Sequence, residues 1–199
     1  MNKLSTAQLY MVPWTGGMSY VITLRDDGFI IIDGGMGNNY FKTHSKTLYN
    51  YLKARTPEGE KPVILGWFAT HFHNDHMGTP VAGYPMSIDG SYYQTGISYV
   101  GNNIAVGKLV DRGYPDYDFP FSGAFVGDLM MSNYMKFIKD RNNRVETVAG
   151  FEVGSADQFV LKNAPRNDFS IRNIYSNGQI WTGTGSSTKT LVPADTPQA

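Results

Sequence analysis

Val63-Ile64-Leu65-Gly66-Trp67-Phe68-Ala69-Thr70-His71-Phe72-His73-Asn74-Asp75-His76-Met77-Gly78 is the stretch on which the reading of this chain turns. Its first seven residues form a short apolar run, the pattern of a strand buried in a sheet. The run then stops, and three of the chain's four histidines follow within six residues, with an aspartate among them. A loop leaving the end of a core strand is where a rigid scaffold displays functional side chains. Upstream, Phe29-Ile30-Ile31-Ile32 is a second apolar run, closed by Asp33-Gly34-Gly35. Asp26-Asp27-Gly28 is a turn signal, so Ser19–Arg25 and Phe29–Asp33 read as a hairpin, with Leu9–Trp14 a further short apolar segment. Between the two apolar runs, Phe41, His44, Leu48, Tyr51 and Leu52 fall at helical spacing and predict a helix over about residues 40–54. His44 lies on the apolar stripe of that helix, which suits packing better than metal binding.

Downstream the pattern is less regular. Residues 77–125 are rich in Gly, Tyr and Pro and read as a long excursion with one strand, Asn103–Leu109. Met130, Tyr134, Phe137 and Ile138 mark a second helix, with Asp128 as its N-cap. Arg144–Val148, Gln158–Leu161, Ser170–Tyr175 and Gln179–Thr182 read as short strands, and Gly183–Ala199 as loop. No internal repeat or linker divides the 199 residues, so a single domain over 1–199 of α/β (α+β) class is expected.

Composition narrows the function. Lys+Arg and Asp+Glu both number 17, and zero formal charge argues against a protein built mainly to grip a nucleic-acid backbone. No stretch approaches the roughly 20 apolar residues a spanning helix needs. No leader-like apolar segment follows Met1, and the expectation is a soluble, cytoplasmic chain, or an exported one if a leader has been removed. With no cysteine, any metal must rest on His, Asp, Glu or backbone oxygen. His71 and His73, two residues apart, point to one side of an extended backbone, and Asp75 and His76 follow after a turn and can approach from elsewhere. Imidazole and carboxylate are the ligands Zn²⁺ accepts when thiolates are absent. Two plainer readings compete: polar residues gathered in a loop by chance, and an ion with a purely structural role. Structural zinc favours closed, Cys-rich sites, which this chain lacks. The crowded tyrosines Tyr92, Tyr93, Tyr99, Tyr114 and Tyr117 read as packing around a small core, and Lys136, Lys139, Arg141 and Arg144 as a solvated helix face.

His71-x-His73-x-Asp75-His76 resembles the HxHxDH signature of the metallo-β-lactamase-fold, metal-dependent hydrolases. The context of the motif is similar too: the strand closed by Asp33-Gly34-Gly35, then a helix, then a strand and a Thr ahead of the first His. This strong likeness spans about residues 18–79. It implies an αββα sandwich built from two similar halves. It implies that His71 and His73 bind one metal ion, that Asp75 and His76 bind a second, and that Asp33 organises the loop without being a ligand. It also implies one or two Zn²⁺ ions, with Mn²⁺ or Fe²⁺ as alternatives. A metal-bound hydroxide would be the nucleophile, with Asp75 as the catalytic residue that orients it. Val110–Tyr117, the helix near Asn133-Tyr134, and Asn177–Gly183 resemble the ComEC-like DNA-uptake branch, which favours a phosphodiester-type substrate over other small molecules.

The chain departs from the family pattern after His76, since no further His follows. Asp195 compares poorly with the family's bridging aspartate, because Ala194 stands where the family has Gly. The chain therefore resembles the N-terminal part of the family's domain, incomplete on the C-terminal side. Two expectations follow: reduced metal affinity, and an uncovered sheet face or edge that promotes self-association. A non-catalytic, truncated or degenerate member acting as a binding or structural protein is the alternative.

Overall fold

The chain was analysed as a computed structural model, which describes residues 8–14, 17–24, 28–35, 44–117, 129–161 and 169–193, without the side chains of 12–14, 17, 18, 44 and 45. The architecture is α+β. Its main element is a six-stranded mixed sheet in the order β1 (Gln8–Trp14), β2 (Gly17–Thr23), β3 (Phe29–Ile32), β4 (Val63–Ala69), β5 (Ala105–Asp111) and β6 (Val148–Gly150). β1, β2 and β3 form an antiparallel meander, whereas β3, β4, β5 and β6 run parallel. Parallel neighbours need crossovers. They are α1 (His44–Arg55), the pair α2 (Asn74–Met77) and α3 (Ile97–Asn103), and α4 (Leu129–Lys139). β7 (Tyr175–Ser176), β8 (Gln179–Trp181) and β9 (Thr188–Thr190) form a small antiparallel sheet.

One face of the large sheet packs under helices. Phe29, Ile31, Ile64, Trp67, Val106 and Leu109 meet Leu48 and Leu52 of α1, Ile97 and Val100 of α3, and Met131, Tyr134 and Phe137 of α4. Both faces of β4 are apolar, and six of its seven residues are buried, as its unbroken apolar run predicts.

The second face corrects an expectation. It is not bare: Leu24, Ile30, Leu65, Phe68 and Val110 are buried there beneath Phe159, with Phe151, Leu161, Phe169 and Ile171 around them. Phe159 fits because β4 carries Gly66, where a Cβ would lie 1.7 Å from its ring. The Phe68 ring adds an edge-on contact to Phe159 (centroids 4.4 Å apart) and a stacked one to Phe151 (5.7 Å). Irregular chain can therefore cap a sheet face with a few aromatic side chains. Among the described residues, the large apolar side chains left exposed on the sheet are Leu9 and Met11 of the edge strand β1 and Val63 at the start of β4.

Several elements differ from the sequence reading. α1 ends one residue later than expected, β2 and β3 shift by up to two residues, and β4 is as predicted. β5 starts two residues late because α3, absent from the prediction, occupies Asn103. α3 is only seven residues long and includes Gly101, Asn102 and Asn103, too little for a helical period to emerge. The strand expected at Gln158–Leu161 is not one. Its polar groups serve as braces instead: the Gln158 side chain donates to Gly150 O (2.8 Å) and accepts from Glu152 N–H (2.9 Å), and Lys108 Nζ donates to Gln158 O (2.9 Å). Arg144–Val148 yields only a bridge at Val145 before β6, and Ser170–Tyr175 contributes only Tyr175 to β7. The predicted loop after Gly183 contains β9. The Asp26-Asp27 turn, the N-cap Asp128, the His44 side chain and Asp195 lie outside the described residues. Among the described residues, no helix is long and apolar enough to cross a membrane.

Candidate metal centre

In a sheet with parallel strands, ligands gather beyond the carboxyl ends. Here β3 ends at Ile32, just before Asp33, β4 runs into Thr70 and the histidine loop, and β5 ends at Asp111 beside Ala69. Asp33 N–H donates to Phe68 O (2.8 Å), so β3 stays laced to β4 up to the loop. Gly34 N–H then donates to His76 O (2.6 Å). That approach requires glycine, since a Cβ at Gly34 would lie 2.8 Å from the backbone nitrogen of Ile97. The Gly34-Gly35 break thus lets β3 pass against both the metal loop and the start of α3.

Asp33 is the hub of the site. It is buried, with a left-handed φ of 60°, a conformation Asp tolerates better than most residues. Ser19 Oγ–H donates to its carbonyl oxygen (2.5 Å). Its carboxylate accepts from Thr70 N–H (2.8 Å), from Thr70 Oγ1–H (2.8 Å) and from His76 Nδ1 (2.7 Å). A carboxylate only accepts, so His76 carries a proton on Nδ1, and in the neutral imidazole the Nε2 lone pair is left for a ligand. The same logic reaches His71, whose Nδ1 lies 3.0 Å from Thr70 Oγ1. The single hydroxyl hydrogen goes to the stronger acceptor, the Asp33 carboxylate. Thr70 Oγ1 must then accept from His71 Nδ1–H, and His71 also presents a bare Nε2. One buried carboxylate therefore sets the tautomer of two imidazoles, directly for His76 and through Thr70 for His71. Metal-bound histidines are oriented in this way by their outer partners.

The structure brings His71, Asp75 and His76 together: one ligand atom from each lies within 4.8 Å of the other two. His76 Nε2 is 3.3 Å from Asp75 Oδ2. Two ligands about 2.1 Å from one tetrahedral ion stand about 3.4 Å apart, so this pair is already at coordination span. The His71 and His76 ring centroids are 3.8 Å apart, with the ring planes tilted by 49°. His73, at the start of α2, meets the His71 ring edge-on at 4.7 Å and contributes no atom to the three-ligand group. Burial and the neighbouring imidazoles push the His71 pKa down, which keeps its lone pair available. Burial pulls His76 down as well, but the hydrogen bonds and charges of Asp33 and Asp75 outweigh it and the net direction is up. When the His76 ring takes up a second proton, its Nε2–H faces Asp75 Oδ2 at 3.3 Å. The donor set, two bare imidazole nitrogens and a carboxylate, fits a borderline divalent cation such as Zn²⁺.

Comparison with protein-family models, curated proteins and solved structures finds no match. The case for the site therefore rests on its own geometry.

Asp111 is the residue whose role the sequence did not reveal. It is fully buried, and its carboxylate accepts from Tyr134 Oη (2.5 Å), Tyr117 Oη (2.9 Å), Gly113 N–H (2.8 Å) and Tyr114 N–H (2.8 Å). Burial nonetheless pushes its pKa up. The Phe72 ring of the metal loop packs on Tyr134 (centroids 5.5 Å apart) and Tyr117 (6.3 Å). The cage around Asp111 thus buttresses the loop through Phe72. The available signal was that Val110-Asp111, like Ile32-Asp33, closes an apolar strand with a carboxylate. Of the crowded tyrosines, Tyr92 is buried with its hydroxyl between Asp140 and Asn102 and Tyr99 lies against the core, as packing residues do, whereas Tyr114 is exposed and Tyr117 donates to Asp111. Lys136, Lys139, Arg141 and Arg144 are exposed.

Proposed function

We propose that this chain is a metal-dependent hydrolase of the metallo-β-lactamase-like type, acting on a phosphodiester-type substrate. The observation that carries the proposal is the convergence of His71, Asp75 and His76, with both imidazoles turned by Asp33 and Thr70 so that their Nε2 atoms are bare. A bound Zn²⁺, or Mn²⁺ or Fe²⁺, would lower the pKa of water toward about 7 and withdraw charge from a substrate oxygen. The protein's own part is to hold the imidazoles in one tautomer and to leave the Asp75 side chain, 38% exposed, at the solvent side. There its carboxylate accepts a hydrogen bond from the attacking water and orients it.

The finer fold belongs to the same proposal. The six-stranded sheet serves as the first sheet of an αββα sandwich, with its second face capped by the side chains around Phe151 and Phe159. The preference for phosphodiesters is supported by two segments that share the branch-level resemblance and touch one another. Asn177 Nδ2 donates to Arg112 O (2.8 Å), and Arg112 Nε donates to Asn177 Oδ1 (3.2 Å). This pair ties the small sheet to the carboxyl end of β5.

The test is metal analysis of the purified chain together with turnover of bis(p-nitrophenyl) phosphate in added Zn²⁺ or Mn²⁺. Metal-dependent turnover lost in Asp75→Ala, with the fold retained by circular dichroism, is the expected result. An absence of bound metal and of any rate above buffer would leave the non-catalytic reading, a binding or structural protein.

A further inference from the structure

The resemblance divides the four candidate ligands into two pairs, one per ion. Two protein ligands per ion make a weak site, and no later histidine is present to strengthen either. The geometry groups the residues differently. His71, which the resemblance pairs with His73, converges instead with Asp75 and His76. Catalytic zinc commonly has three protein ligands and an open fourth position, including sets of two histidines and one carboxylate. His71, Asp75 and His76 supply that set within six residues of one loop.

We infer that the chain binds one divalent cation, held by His71 Nε2, Asp75 and His76 Nε2, with His73 outside the coordination set. The inference rests on the metal-dependent reading above and specifies its stoichiometry and ligands. Three features of the structure support it. Each imidazole in the set has its Nδ1 anchored, His76 on Asp33 at 2.7 Å and His71 on Thr70 at 3.0 Å, so neither must turn to present Nε2. Asp75 and His76 are adjacent on one short helical turn, and their ligand atoms already stand at 3.3 Å. His73 precedes that turn with extended backbone (φ −76°, ψ 157°), and its ring lies beside His71, not across the group.

Equilibrium dialysis of the chain against Zn²⁺ alone, with metal counted by mass spectrometry, tests the inference. One equivalent per chain is expected, and His73→Ala should keep it at parental affinity. His71→Ala and Asp75→Ala should each lose more than the about 10- to 100-fold that removal of an outer partner costs. His76→Ala also removes a partner of buried Asp33 and can unfold the loop, so the two less buried variants carry the test, with folding checked by circular dichroism. Two equivalents of Zn²⁺, or a large loss in His73→Ala, would overturn the one-ion set while leaving a metal-dependent enzyme. No bound Zn²⁺ at all would overturn both.

Discussion

Asp33→Asn separates the two jobs of the hub. The change is nearly isosteric, and Asn tolerates the φ of 60° at this position, so the backbone has no reason to move. What changes is that one carboxylate oxygen becomes an NH₂ group, which must face a former donor. If it faced Thr70 N–H, a buried backbone donor would be left unpaired, at about 1–3 kcal/mol. If it faces His76, the imidazole escapes by moving its proton from Nδ1 to Nε2 and accepting from the amide. The second route is cheaper, so metal-free Asp33→Asn is expected to fold with His76 in the other tautomer. Its Nε2–H then points at the position of the cation. Metal binding must restore the original tautomer against the amide NH₂, a donor facing a donor, again about 1–3 kcal/mol. At about 1.4 kcal/mol per tenfold, this predicts an affinity loss of about 5- to 140-fold, with thermal stability only modestly lowered. Competition with a chromogenic chelator measures the affinity, and long-range ¹H–¹⁵N spectra report the tautomer. His71 is the internal control, because Thr70 Oγ1–H keeps an oxygen acceptor and the His71 signals should not change. Unaltered zinc affinity, or a His76 that keeps its proton on Nδ1, would refute the tautomer argument.

Other perturbations probe the surrounding structure. Tyr134→Phe removes a charged hydrogen bond from buried Asp111 and is expected to cost about 1.5–3 kcal/mol in urea denaturation. Because burial raises the Asp111 pKa in the folded chain, the native state holds the extra proton above about pH 3.9, and stability falls as pH rises through the folded value. The variant should extend that fall to higher pH, and an unchanged profile would contradict the cage. His76 titrates with its folded pKa raised by Asp33 and Asp75 against the opposing effect of burial. In chelator-treated protein its stabilising contribution is therefore complete below about pH 6.5 and lost as pH rises through the folded value. Urea midpoints across that range should show the slope in the parent and a smaller one in Asp75→Ala. Gly66→Ala places a methyl group in the Phe159 ring and should destabilise by about 1–3 kcal/mol through overpacking, as read by thermal melting. A neutral result would mean that Phe159 does not cap the sheet.

Where the physical cause was local in the chain, the sequence was readable. The apolar run of β4 appears at its exact bounds because a strand buried on both faces needs no periodicity to stand out. The histidine loop stood out because its candidate ligands are packed into six residues, and Asp33 entered through the family resemblance of the Asp33-Gly34-Gly35 turn. What escaped was set by partners distant in sequence. Phe159 lies far along the chain from Gly66, and neither residue alone shows that a ring will sit on a glycine, so the second sheet face read as bare. Asp111 finds its donors on α4 and in the turn after β5, and no spacing rule joins them.

The grouping of ligands was hidden for a related reason. Alternation along an extended strand pairs His71 with His73, and their rings do lie in contact. But the backbone leaves the extended state at Asn74, and a single helical turn then carries Asp75 and His76 back toward His71. Gly34 N–H and the Asp33 carboxylate, from another strand, hold that turn in place. The spacing of the motif thus supplies the ligands, while a residue some forty positions upstream decides which of them share a centre. On this account, weakening the Asp33 anchor should erode the preference for one ion before it erodes the fold. The same dialysis measurement on Asp33→Asn can follow that loss, with His73→Ala added to show whether His73 has entered the set.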